Sequence, residues 1–127
     1  MGAIRRNDAE VFFEREGVGE ARRTESGDIT VEWSRVDAPF DLAPMFRGLP
    51  DDKCQCRHYG YVIRGRLTFV TNAGPVHIEA GEAFDIPPGH IPAPGPGCEW
   101  VSFTASEEQR RTDDAIRRNA AAAAGSR

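Results

Sequence analysis

Between Glu10 and Thr104 the chain is broken by glycine- and proline-bearing turns into short apolar alternations, and that punctuation constrains the fold more than any other feature. Thirteen glycines and nine prolines leave almost no helical periodicity before residue 105. The pattern instead predicts strands over 10–14, 29–36, 55–63, 66–71, 75–78, 83–86 and 99–104, with SGD, RG, NAG, EAG and PPG as turns. Spacing this tight belongs to hairpins. The class it implies is all-β, an antiparallel sandwich or barrel.

One helix is expected after the last strand. Ser106-Glu107-Glu108-Gln109 has the form of a capping box, in which the serine hydroxyl accepts from the N3 amide and the glutamine reaches back. The helix would span about 106–120. The alanines at 120–124 have high propensity but no apolar stripe to dock, so the last turns are expected to fray and residues 125–127 to be disordered. Upstream, 37–53 places Pro39, Pro44 and Pro50 among Phe40, Leu42, Met45, Phe46 and Leu49. It reads as a long ordered connection that packs these side chains without ladder hydrogen bonds, as a lid or the flank of a dimer. A chain of 127 residues is long enough for one core, so 1–127 is read as a single domain with its barrel at about 10–105.

Sixteen basic residues against twenty acidic ones leave a net charge of −4, which attracts neither nucleic acid nor an anionic membrane. The opening MGAIRRNDAE lacks the apolar core of a secretion signal, and no apolar run is long enough to span a bilayer. The expected location is the cytoplasm. In a reducing compartment, three cysteines with two of them clustered point to metal binding or redox use rather than to structural disulfides.

The cluster is Cys54-Gln55-Cys56-Arg57-His58. On a strand, alternate side chains share a face, so both thiols and the imidazole would lie on one side with Gly60 and Val62 continuing the core face. Buried thiols and imidazoles need partners, and a divalent metal satisfies several at once. Residues two apart on a flat strand sit about 6.6 Å apart and those four apart about 13 Å, which favours Cys56 with His58; Cys54 with His58 requires a bulge or strong curvature. His77 has no companion donors and reads as an exposed strand residue. Cys98, in a Gly-Pro-Gly turn, reads as inert. Tyr59, Tyr61 and Ile63 should face away from the metal side, and Phe69, Phe84, Val101 and Phe103 look like core wall.

The run CRHYGYVIRGRLTF, with AGEAFDIPPGH further along, resembles the two motifs of the cupin superfamily over roughly residues 52–92. Within it, the chain is most similar to small single-domain proteins with a cysteine, histidine, tryptophan, glycine and tyrosine pattern at the first motif, Tyr59 here replacing the tryptophan. The resemblance implies a double-stranded β-helix, or jelly-roll barrel, with a metal at its centre and often a homodimeric assembly. Anchored on Gly65, it puts His58 at the usual glutamate position, Cys54 at the second histidine and Asp52 at the first. Gly81, Pro87 and Gly89 match the second motif, while Pro92 stands at the ligand position and His90 is the natural substitute. The implied metal site is Cys54, His58 and His90, with Cys56 as a fourth ligand or a neighbouring thiol. Thiolate with imidazole suits Zn²⁺ first, with Fe²⁺ or copper as alternatives.

Two functions follow, and the sequence leaves them open. One is a metal-dependent enzyme on a small organic molecule, for which Asp52, Glu82 and Asp85 are the only carboxylates near the motifs. The other is a non-catalytic metal-stabilised, ligand-binding or sensor barrel, favoured if four protein donors close the coordination sphere. A thiol switch through Cys54 and Cys56 is the weakest reading, because its disulfide ring would be very small.

Overall fold

The computed structural model describes residues 2–125, with side chains as far as Ala123. Nine strands carry the chain: β1 (Glu10–Arg15), β2 (Gly19–Ser26), β3 (Ile29–Val36), β4 (His58–Arg64), β5 (Arg66–Thr71), β6 (Gly74–Glu79), β7 (Ala83–Ile86), β8 (His90–Pro94) and β9 (Cys98–Ala105). A helix, α1 (Ser106–Gly125), follows β9 directly. The strands form two antiparallel sheets, one in the order β1-β2-β3-β9-β4-β7 and the other β6-β5-β8. This is a jelly roll. Its hydrophobic centre is built from Val62, Leu67, Phe69, Phe84, Ile86, Cys98 and Trp100, contributed by both sheets.

β3, β5 and β7 fall where the alternation puts them. β2 does not read as a strand because GEARRTES has almost no apolar residue; it is ordered by pairing along its whole length with β3 and by β1 on its other edge. β8, HIPAP, carries two prolines. They are tolerated because β8 lies at the edge of its sheet, where one row of backbone groups needs no ladder partner.

Three expectations need correction. The strand predicted over 55–63 begins only at His58, and the preceding segment instead turns, with Cys54 bridged to His90. Val101 and Phe103 are not core wall. On β9 the inward positions are Cys98, Trp100, Ser102 and Thr104, and Phe103 stays exposed on the other face. Finally, α1 begins at Ser106 without the capping-box bonds: the Ser106 hydroxyl bonds to Thr30 Oγ1 at 2.8 Å, and Gln109 donates to Asp113 at 3.0 Å. The β9 chain enters the helix without a break, so the box has no free end to close.

The helix docks through a stripe at Gln109, Thr112, Asp113 and Ile116, mostly polar and held by hydrogen bonds rather than by apolar contact alone. It continues through the alanine block to Gly125, beyond the predicted end; the rest of the tail lies outside the described residues. Asn119 ties it to the 37–53 connection by donating to the carbonyls of Met45 and Arg47. That connection is ordered as expected, with short 3-10 turns at Ala43–Phe46 and Pro50–Asp52. Its Leu42, Met45, Phe46 and Leu49 pack around Cys54 and Cys56.

Candidate metal centre

Cys54 lies on the bridge to β8, where its amide donates to the His90 carbonyl at 2.9 Å and its carbonyl accepts from Gly89. From there the chain bends, Gln55 being drawn outward by bonds to the carbonyls of Pro50 and Lys53. Arg57 is held outside by a bidentate ion pair with Asp85. Both thiols and the first imidazole of β4 are therefore turned to one side. The donor atoms of Cys54, Cys56 and His58 all lie within 4.8 Å of one another. The bend brings Cys54 to His58 as well, Cys54 Sγ lying 3.6 Å from His58 Nε2, an approach that a flat strand would not allow. These three residues are positioned to bind a metal.

Each donor is oriented from behind. His58 Nδ1 is 2.6 Å from the Thr104 hydroxyl, which leaves Nε2 facing Cys54. Cys56 Sγ is 3.2 Å from the Thr112 hydroxyl of α1, which also lies 4.0 Å from Cys54 Sγ. Histidines that hold metals are commonly fixed by such a bond at the other ring nitrogen. His90 is fully buried and stands outside the mutual 4.8 Å group, its ring 4.9 Å from that of His58 and 5.3 Å from Phe69. Its Nδ1 donates to the Pro87 carbonyl at 2.8 Å, which leaves Nε2 as the ring nitrogen free of the backbone. That Nε2 is the one buried side-chain nitrogen or oxygen without a hydrogen-bond partner among the described residues.

The thiols differ sharply. Cys54 is held well below the ordinary thiol range, first by a hydrogen bond from Cys56, then, against its burial, by His58 and His90. Cys56 is pushed up, chiefly because its proton is kept on that same bond and then by burial. A thiol drawn toward its thiolate form beside a second thiol and two histidine rings is a soft donor set suited to a cation. Cys98 sits far from this chemistry, its thiol pushed up to about 11 by burial.

The carboxylates near the motifs take no part. Asp52 accepts from the Gly48 amide, Glu82 from the Glu79 amide, and Asp85 pairs with Arg57. His77 is exposed and bonded to Thr68. In their place the barrel interior holds a charged group that motif reading missed. Arg23 donates to Glu32 at 2.8 Å and to Asp113 of α1 at 2.6 Å, with the ring of Phe12 3.4 Å from its guanidinium carbon. Burial alone would lower the Arg23 pKa, but the two carboxylates hold it above its usual value. Cys54, His58, Arg23, Glu32 and Asp113 all line one cavity of about 1240 Å³ that is partly open to solvent. The sequence signal for Glu32 was a charge in the middle of Ile29–Val36, which alternation alone assigns to either face.

No family model and no curated protein matches the chain. Solved structures do. A protein of unknown function from Rhizobium leguminosarum bv. viciae 3841 superposes with a TM-score of 0.58 at 22% identity, over 82% of this chain and 95% of that one. An RmlC-like cupin from Shewanella frigidimarina NCIMB 400 gives 0.55 at 13% identity, over 79% and 86%. The chain has the cupin fold. The polyketide cyclase RemF from Streptomyces resistomycificus also matches, with a TM-score of 0.53 at 19% identity over 84% of this chain and 80% of that one. At these identities the agreement concerns architecture; the donor set of this chain rests on its own residues. No helix among its described residues is long and apolar enough to cross a membrane.

Proposed function

We propose that this cupin holds one Zn²⁺ through Cys54, Cys56, His58 and His90, and that the cavity beside the ion receives a small organic molecule. The observation that carries the reading is the convergence of two sulfurs and a ring nitrogen within 4.8 Å, next to a buried His90 whose Nε2 has no partner. Two sulfur and two nitrogen donors are a zinc set, and a buried polar nitrogen without a partner is costly unless a metal or another polar group reaches it. When bound, the ion would supply Lewis acidity to a ligand in the cavity, or, with all four donors engaged, a cross-link between β4, β8 and their flanking segments. Thr104, Thr112 and the Pro87 carbonyl would orient the donors.

The protein would act as a homodimer in the cytoplasm. Supporting the first point, Ile29 on β3, Phe103 on β9, and Tyr59, Tyr61 and Ile63 on β4 are exposed on one outer sheet face. Three free thiols suit a reducing compartment.

The test is metal analysis of protein purified without added metal. About one equivalent of zinc per chain is expected, lost in His58→Ala. In His90→Ala, zinc retained with a newly exchangeable water would mark a three-donor site. Unchanged zinc in both variants would end the reading.

A further inference from the structure

The six-stranded sheet lines up its inner residues in rows, and the row beside the metal centre is Arg23, Glu32, Ser102 and Gly60, on β2, β3, β9 and β4 in register. Arg23 is held between two carboxylates and a ring. Its Nε goes to Glu32, its Nη1 to Asp113, and the Phe12 ring covers its face. One buried cation against two buried carboxylates leaves this part of the cavity with an excess negative charge. Glu32 Oε1 accepts only from Ser34, at 3.1 Å. Ser102 is 7% exposed, lines the cavity, and its hydroxyl has no hydrogen-bond partner among the described residues. Most cations at the rim are paired with carboxylates, Arg110 with Glu25, Arg35 with Asp37 and Arg117 with Asp114, while Arg15 lies over the Phe40 ring. Phe69, Phe84 and Trp100 supply apolar wall.

A hydroxyl that faces the cavity without a protein partner, beside a carboxylate with spare acceptor capacity, suits a ligand that brings hydrogen-bond donors. An anion brought into the same space would meet uncompensated like charge at reduced dielectric. We infer that Glu32, Asp113 and Ser102 set the cavity's specificity: it takes small molecules with an apolar body and a neutral or cationic donor group, a hydroxyl or an amine, and turns carboxylates and phosphates away. This inference rests on the reading that the cavity receives a small molecule, and goes beyond it by naming the class. Arg23, though cationic, serves as a positioning residue that aims both carboxylates.

The experiment uses three probes of nearly equal shape, benzylamine, benzyl alcohol and benzoate, titrated into the zinc-loaded protein and followed by saturation-transfer NMR. Benzylamine and benzyl alcohol are expected to bind at least about tenfold more tightly than benzoate. In Glu32→Gln and in Asp113→Asn, each removing one negative charge from a different element, the preference should collapse as benzoate gains. Ser102→Ala should weaken the alcohol and the amine together. Two variants are used so that a folding failure in one leaves the other to be read. Benzoate binding as tightly as the others, or an order unchanged in the charge variants, overturns the inference alone. No binding by any probe overturns it together with the reading of the cavity. Zinc content of the same samples reports on the metal site separately.

Discussion

Along β3 and at the metal end of β4 and β9 the six-stranded sheet reverses the usual arrangement, while Val62, Phe84, Ile86, Cys98 and Trp100 keep the rest of its inner face apolar. Inward stand Thr30, Glu32, Ser34, Ser102, Thr104 and His58; outward stand Ile29, Trp33, Val101, Phe103, Tyr59 and Tyr61. The alternation has the same period on both faces, so period alone fixes pairing and leaves the sign of the face undetermined. The lesson lies in what each face gives up. The inner face sacrifices apolar burial near the metal centre to place polar side chains around a cavity. The outer face keeps an aromatic surface that a lone chain leaves in water.

The sharpest way to break the contrast is at Gly60, on the inner face, where a Cβ would run into the Phe84 ring and the Val101 carbonyl. Gly60→Ala should cost about 3 kcal/mol, read by chemical unfolding; an unperturbed midpoint would mean that both the ring and the β9 backbone give way freely. Thr104→Val removes the hydroxyl behind His58 Nδ1 and should weaken zinc about tenfold to a hundredfold in a chelator competition, with Thr104→Ser retaining the affinity. Equal affinities in all three proteins would show that the hydroxyl does not orient the ring.

Outer-face changes should leave zinc untouched. Phe103→Glu is expected to turn a dimer into a monomer by light scattering, raising the dissociation constant by about tenfold or more, while a variant that still dimerises would place the interface elsewhere. The smallest effect concerns Glu20, bonded to Arg22 and also paired with Arg6. The hydrogen bond from Arg22 holds its carboxyl below the ordinary 4.5, against the effect of burial and with help from the Arg6 charge. Stability from this group is therefore present above about pH 4.5 and lost as pH falls below it, by about 1 kcal/mol. Glu20→Gln should flatten that acid limb of the unfolding profile, and a wild-type slope in the variant would clear Glu20 of the role.

The two-motif pattern and the turn residues made the jelly roll and most strand positions legible, and the Cys-x-Cys-x-His spacing pointed to the place where a metal can sit. Other parts were hidden for physical reasons. β2 is strand only because its neighbours pair with it, which no local propensity records. The approach of Cys54 to His58 depends on a bend before β4 that a regular strand would not supply. Val101 and Phe103 were assigned to the interior because apolar residues ordinarily go there, and here the polar partners take that side. Glu32 and Asp113 lie 81 positions apart, 113 − 32, and become neighbours only when α1 folds back over the barrel to meet Arg23.

The two tryptophans fall one on each side of this sheet, Trp100 lining the cavity and Trp33 on the opposite face. The protein thereby carries its own pair of optical probes. Replacing Trp33 with phenylalanine would leave an emission that reports filling of the interior, whereas replacing Trp100 would leave one that reports only what touches the exterior, so occupancy and assembly can be followed separately in one unlabelled molecule.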